Sequence, residues 1–182
     1  MALNARTEHA EHDVVTGSRT GRQLVAFAEV LLLSVWLGSM IFFSFAVAPS
    51  AFAVLPTREL AGAMVTSSMT KVELLGLVIG SLLILIQLAT WRVRGSGSAI
   101  KILGLGLICV MIAAAALSRF WISSQMVLLR VAMGGHIDDV PVTDALRVQF
   151  NNLHQYSVAL MGTAMVAGLV VLFLTVRSWF KR

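Results

Sequence analysis

The chain has 182 residues, of which 58% are hydrophobic and 13% charged, with a formal net charge of +5. An average soluble domain has about 45–50% apolar and about 25% charged residues. Together with a mean hydropathy of +0.86, this composition excludes a disordered chain, a disulfide scaffold and an ordinary cytosolic enzyme. It predicts a membrane protein with several spans and little mass outside the bilayer.

Four apolar runs are long enough to cross a bilayer, whose core of about 30 Å requires about 20 helical residues. They cover about residues 24–48, 74–91, 102–118 and 156–176. The alternating strands of a membrane barrel are absent, so these runs are predicted to be helices, which satisfy their own backbone groups. We therefore predict an all-α membrane protein: an antiparallel four-helix bundle over residues 23–182, after a polar, flexible cytoplasmic tail over residues 1–22.

Lysine and arginine are distributed unevenly between the two ends of the spans. The side that holds both termini and the 91–101 loop carries nine of them in 39 residues, and the other side carries five in 62. Because cytoplasmic loops carry the excess of positive charge, we predict a multi-pass protein of the bacterial inner membrane with both termini in the cytoplasm.

Helix signals outside the apolar runs predict that the helices extend beyond the membrane on the outer side. Thr57 precedes Arg58 and Glu59 as a helix N-cap, and Gly134-Gly135 is a helix stop. A second start is expected at residues 141–144, with Thr143 at its beginning. The 119–155 connection is therefore predicted to be a helical hairpin rather than a loose loop.

Small residues four apart occur in several spans and let helices approach closely in lipid. We expect them to pack within the bundle of one chain, with a seam between two chains as the alternative. The positions concerned are Ser34, Gly38, Gly76, Gly80, Ala164 and Gly168.

Two short motifs carry a resemblance to a known family. The first is Trp36-Leu-Gly38 with its Phe-rich continuation to Pro49 and Phe52, and the second is Phe150, Leu153 and His154 before the last span. Together they resemble a bacterial integral-membrane domain of unknown function that is related to the eukaryotic transmembrane-protein-205 group. The resemblance implies a membrane bundle without an agreed biochemical activity, although the eukaryotic branch is linked to resistance to platinum drugs.

Few ionisable residues lie near the spans, and such residues in a membrane favour a functional hypothesis. Glu29 lies within the first span, where it can relay protons, hold a cation, or pair with a basic residue near the interface. Glu73, Arg119 and His154 are predicted to form an outer polar layer, with Glu73 and Arg119 within salt-bridge reach. An architectural clamp and a substrate gate are the alternatives for this layer.

No resident cofactor is predicted, and the alternatives are haem and a divalent metal ion. His154 is the candidate haem ligand, but the sequence has no second intramembrane histidine to complete an axial pair. His136, Asp138, Asp139 and Asp144 are weak candidates for a divalent metal site, against a solvated turn.

The sequence contains no P-loop, dinucleotide-binding fingerprint or catalytic triad pattern, so we expect a protein that is not an enzyme. The leading hypothesis is an accessory or scaffold subunit that packs onto a larger membrane complex. A self-contained transport or metal-stress-resistance protein and an electron carrier that uses His154 are the alternatives. The expected partners are the lipid bilayer and either a membrane protein or a second copy of the chain, and nucleic acid is not expected.

Overall fold

The computed structural model describes residues 19–92, 97–134, 137 and 139–178 in full, and backbone alone at residues 2–18, 138, 179 and 180. Within these ranges the chain is almost entirely helical. The elements are α1 (Ala2–Phe42), a π-helical turn (Phe43–Val47), α2 (Ala48–Val54), α3 (Arg58–Ala89), α4 (Ser98–Leu117), a second π-helical turn (Ser118–Ile122), α5 (Ser123–Ala132), a 3₁₀ turn (Ile137–Asp139) and α6 (Ala145–Phe180).

Four continuous helical segments are long and apolar enough to cross a membrane, which confirms the predicted fold class. They cover Arg19–Val54, Arg58–Ala89, Ser98–Ala132 and Ala145–Ser178. Each helix packs against two neighbours, in the cyclic order α1, α3, α4, α6. One end of the bundle holds Arg19, Ser178 and the facing ends of α3 and α4 at Ala89 and Ser98, and is called the termini side. The other end holds residues 55–57, 133–134 and 137–144, and is called the hairpin side.

The helices are longer than the bilayer requires. At 1.5 Å per residue the segment Ser98–Ala132, with 35 residues, is about 52 Å long, against about 30 Å for the hydrocarbon core. On the hairpin side, α5 and α6 pack together through a small separate core of Ile122, Leu129, Met133 and Leu153. The predicted helical hairpin is therefore present.

The ends of these helices follow local capping chemistry. The Thr57 side chain accepts a hydrogen bond from the Leu60 amide at 3.2 Å, as predicted. Gly134 has φ +76°, the left-handed conformation that ends a helix. The predicted start at Thr143 is off by one residue, because Asp144 caps α6 by accepting from the Leu146 amide at 2.8 Å. The flexible tail predicted over residues 1–22 falls largely on residues 1–18, outside the residues described in full.

Trp36 is the centre of the bundle core and is only 1% exposed. A Cβ built on Gly76 would lie 2.5 Å from Trp36 Nε1, and one built on Gly80 would lie 3.2 Å from Trp36 Cη2. Only glycine leaves room for the indole at position 76, whereas at Gly80 the nearest side chain is Ile112 of α4, whose Cγ1 would lie 2.5 Å from a Cβ. Leu33, Leu83, Ile108, Met111 and Val171 belong to the same apolar core.

The other small residues differ in their surroundings. Ala164 and Gly168 are buried, and a Cβ on Gly168 would lie 3.0 Å from Met111 Cε. Ser34 and Gly38 are exposed on the outer face of α1, and a Cβ on Gly38 would meet no atom within 4 Å. Packing within one chain was therefore the wrong expectation for Ser34 and Gly38.

Candidate functional site

Glu73 is a buried carboxylate on α3, with 6% of its surface exposed. The Ser118 hydroxyl donates to Glu73 Oε1 at 2.5 Å, and Ser157 Oγ lies 3.3 Å from Ser118 Oγ. Both serines are themselves buried. Arg119 follows Ser118 in the second π-helical turn and adds a positive charge to this region. These residues form a polar cluster from α3, the second π-helical turn and α6 inside an otherwise apolar bundle.

Two polar atoms of this cluster are buried and have no hydrogen-bond partner among the described residues: Glu73 Oε2 and Arg119 Nε. The hydroxyl of Ser118, rather than the guanidinium of Arg119, therefore supplies the direct hydrogen bond to the carboxylate. Buried polar groups in native proteins are nearly always satisfied by protein, water or ions. The free oxygen of Glu73 marks a place where a further partner fits.

A cavity of about 30 Å³ lies beside Glu73, and a cavity of at least about 10–15 Å³ can hold a water. Three methionines, Met40, Met69 and Met161, contribute to its wall together with Glu73 and Ser118. Two of the thioethers lie close to serine hydroxyl groups. Ser157 Oγ lies 4.0 Å from Met69 Sδ, and the Ser44 hydroxyl donates to Met161 Sδ at 3.0 Å.

Both π-helical turns contribute residues to this region. Ser44 lies in the turn Phe43–Val47, and Ser118 begins the turn Ser118–Ile122. A π-turn inserts an extra residue into a helix and changes which side chains face inward, and such turns are frequent at functional sites. Here the two turns bring hydroxyl groups to the carboxylate and to a thioether.

A much larger groove of about 540 Å³ opens on the hairpin side, within the range of about 300–1,000 Å³ that is typical of small-molecule sites. Its centre is Arg130, whose guanidinium carbon lies 5.8 Å from the centroid of the Phe150 ring. A Cβ on Gly62 would lie 3.2 Å from Arg130 Nη2, so Gly62 leaves room for this arginine. The lining residues are Phe52, Thr57, Arg58, Glu59, Gly62, Val65, Thr66, Met126, Arg130, Ile137, Asp139, Arg147, Phe150, Asn151 and His154.

The groove and the Glu73 cavity follow one another along the same faces of α3 and α6. On α3, residues 58, 62, 66, 69 and 73 recur every three or four positions, from the groove to the cavity. On α6, residues 150, 154, 161 and 164 do the same, with Ser157 between them. Residues this far apart share one helix face. Trp36 also lines the cavity, and its indole fills the space beside Gly76.

Glu29 belongs to a different level of the bundle. On α1, Glu29 lies seven residues before Trp36. On α3, Gln87 lies seven residues after Gly80. Since Trp36 approaches Gly80 and the helices are antiparallel, Glu29 and Gln87 lie at similar depth, about 10 Å toward the termini side. Both are buried, with 1% and 5% exposed. A cavity of about 20 Å³ lies nearby, lined by Gln87, Lys101 and Thr175 among others.

The predicted outer layer is thus assembled differently from the sequence expectation. His154 is exposed and lines the groove rather than the Glu73 cluster, while the pairing of Glu73 with Arg119 stays a prediction. Ser118 and Ser157 take the place that we assigned to His154. Serines inside apolar runs are common, so the sequence held no signal that singled out these two.

The motif residues also separate in space. Phe52, Phe150 and His154 line the groove, Trp36 and Leu153 are buried in the two cores, and Pro49 lies in the first turn of α2. The positions that carried the family resemblance therefore contribute to both apolar cores and to the groove.

The weak metal candidates do not form a cluster among the described residues. Asp139 lines the groove and Asp144 caps α6, while His136 and the side chain of Asp138 lie outside the described residues. Within the described part of the chain, no group of three or more His, Cys, Asp or Glu side chains is arranged to hold a metal ion.

Comparison with known families gives one match. The family described as Domain of unknown function (DUF4149) matches residues 31–134, which is more than half of the chain. No curated protein and no solved structure matches. The chain belongs to this family of unknown function, and the family match together with the four apolar helices identifies an integral membrane protein.

Proposed function

We propose that the chain is a non-enzymatic accessory or scaffold subunit, which binds a segment of a larger membrane complex in its hairpin-side groove. The observation that carries this proposal is the groove itself. It is built from helix extensions that crossing the bilayer does not require, and its own side chains leave about 540 Å³ unfilled. The absence of a catalytic sequence pattern supports a role in binding rather than in catalysis.

The lining of the groove indicates the chemistry of the segment it binds. Three arginines face two carboxylates, those of Glu59 and Asp139, and Phe52 and Phe150 add aromatic surface. Arginine and aromatic residues are enriched where protein interfaces bury most of their binding energy. A partner segment with a carboxylate between apolar side chains fits this composition.

The location we propose is the bacterial inner membrane, with both termini in the cytoplasm and the groove on the outer surface. The distribution of lysine and arginine supports this orientation. We also propose that the family extends to the transmembrane-protein-205 group, on the motif residues described above. Labelling of a cysteine placed at position 180 by an impermeant reagent, in intact cells of a Cys109→Ala strain, would contradict the orientation.

The docking role is tested by purification from native membranes in a mild detergent. Gly62→Leu fills the groove where Arg130 lies, and Gly106→Leu places the same side chain on an exposed face of α4 with no atom within 4 Å. We expect one defined membrane protein to co-purify with the wild type and with Gly106→Leu, and to be lost with Gly62→Leu. Equal recovery with Gly62→Leu, or no stoichiometric partner, would reject the proposal. An absorption spectrum of the same sample tests the electron-carrier alternative, which requires haem at His154.

A transport or metal-stress-resistance role is the second candidate, and the cavity beside Glu73 favours it. A continuous polar path from Glu29 to Glu73 would have to pass the apolar layer around Trp36, Leu33 and Leu83. Transport therefore requires movement of this layer, whereas binding from the hairpin side does not.

A further inference from the structure

We propose that the Glu73 cavity binds one soft monovalent cation, Cu(I) or Ag(I), between the Glu73 carboxylate and the thioethers of Met69 and Met161. The cavity is separate from the groove in which the partner segment is proposed to dock. The cation site can therefore be tested, and rejected, independently of the docking role.

The first argument is the free carboxylate oxygen. Glu73 is 94% buried by its 6% exposure, lines the cavity, and has no hydrogen-bond partner for Oε2 among the described residues. A buried charged oxygen without a partner is costly, and the cost is removed when a cation binds it. The one direct hydrogen bond to the carboxylate, from Ser118, goes to Oε1, and neither Ser118 nor Arg119 donates to Oε2.

The second argument concerns charge. Glu73 is the one acidic residue among those that line the cavity, so a monovalent cation leaves a neutral pair. A divalent ion would bring one more positive charge than a monovalent ion into an apolar layer where Arg119, directly after Ser118 in the chain, already supplies one. Uncompensated charge within a membrane bundle is unfavourable.

The third argument is the chemical nature of the other ligands. Met40, Met69 and Met161 line the cavity, and the sulfurs of two of them lie beside hydroxyl groups: Met69 Sδ is 4.0 Å from Ser157 Oγ, and Met161 Sδ accepts from Ser44 at 3.0 Å. Thioethers are soft ligands that select Cu(I), whereas Ca²⁺ and Mg²⁺ require shells of oxygen. The cavity of about 30 Å³ has room for one ion.

The test is a titration of the full chain in detergent with Ag⁺, a redox-inert substitute for Cu(I). Cys109 has an exposed free thiol that would compete for silver, so the titration uses a Cys109→Ala background. Methionine methyl groups are labelled with ¹³C and followed by NMR. We expect one equivalent of Ag⁺ to shift the methyl resonances of Met69 and Met161 and to leave that of the exposed Met64 in place.

Four variants sharpen the assignment. Glu73→Gln removes the charge at nearly constant volume and should weaken Ag⁺ binding at least tenfold, as should the double variant Met69→Leu/Met161→Leu. The matched control Met64→Leu/Met133→Leu removes two methionines elsewhere and should not change the affinity. Arg119→Gln should tighten binding several-fold, because it removes a repelling charge.

Several outcomes would overturn the proposal. Unchanged Met69 and Met161 resonances at one equivalent of Ag⁺ would show that the cavity holds water alone. Equal affinity of Glu73→Gln and wild type would place the ion elsewhere, and so would weaker binding in Arg119→Gln. Thermal unfolding of each variant, measured without silver, identifies any that fails to fold. For such a variant, Met69→Leu alone, which keeps the side-chain volume, provides the comparison.

Discussion

The two halves of the bundle each bury a polar layer next to a cavity of water size, but the layers differ in the charges they supply. On the termini side the cavity lining includes Lys101 as well as Gln87 and Thr175, so the chain provides a cation there itself. On the hairpin side the cavity lining has the carboxylate of Glu73 and three thioethers. The two cavities thus differ in the side chains that line them: a lysine with neutral polar groups on the termini side, and a carboxylate with three methionines on the hairpin side.

The two halves of the bundle also differ in how regular their backbone is. Both π-helical turns lie on the hairpin side, within the first and third spans, and the groove opens there. The termini-side ends of α3 and α4 are joined by a short connection between Ala89 and Ser98. Irregular backbone in a membrane is tolerated where it is buried in protein or lines a cavity. Both π-helical turns therefore lie in the half of the molecule that holds the groove and the Glu73 cavity.

Trp36→Ala removes the side chain that separates the two halves, and it should have the largest effect on stability. We expect a loss of about 3–5 kcal/mol in the free energy of unfolding, because a buried tryptophan leaves a large cavity. The measurement is unfolding of the purified protein by SDS titration in mixed micelles. Trp121→Ala is the matched control, since Trp121 is 53% exposed. Equal losses for the two variants would show that Trp36 does not close the bundle.

Gly76→Leu tests the packing of Trp36 against α3. A Cβ here would lie 2.5 Å from Trp36 Nε1, so the indole or the helix must move. Overpacking typically costs about 1–3 kcal/mol. In Gly106→Leu, on an open face, only the change in helix propensity remains. If Gly76→Leu is as stable as Gly106→Leu, the contact between Trp36 and Gly76 is looser than the structure shows.

The charge interaction in the hairpin-side layer can be isolated by a double-mutant cycle. Glu73→Ala and Arg119→Ala should each destabilise the protein, and the double variant should be less unstable than the sum of the two predicts. Coupled charges in one network show interaction energies of about 0.5–3 kcal/mol. The measurement is again SDS titration, in the absence of added metal. Strictly additive losses would show that Arg119 does not act on Glu73.

The sequence was sufficient for the four spans, because each depends on about 20 consecutive apolar residues, and for the Thr57 cap, which depends on local chemistry. It was not sufficient for the interior of the hairpin side. Ser118 and Arg119 are adjacent, and which of them hydrogen-bonds to Glu73 depends on the π-turn that begins at Ser118. Such a turn depends on packing rather than on a composition signal.

The sequence could not predict that Met40, Met69 and Met161 line one cavity, and the reason here is different. These residues lie on three helices and share no spacing, so only the depth at which the helices pair brings them to one cavity. That depth is fixed by Trp36 against Gly76 and Gly80. The motif tryptophan was visible in the sequence, but the contact that it makes was not.

The smallest expected effect concerns the start of α6, which supplies Phe150 and His154 to the groove. Asp144 accepts a hydrogen bond from the Leu146 amide at 2.8 Å, and loss of an N-cap side chain typically costs about 1 kcal/mol. Asp144→Ala should therefore lower the free energy of unfolding by about that amount. Hydrogen exchange of the first turn of α6 should also become faster, since its amides lose their acceptor.

Thr143→Ala is the matched control, because Thr143 is exposed and is the residue that sequence signals alone would choose as the cap. A larger loss for Thr143→Ala than for Asp144→Ala would move the start of α6 back by one residue.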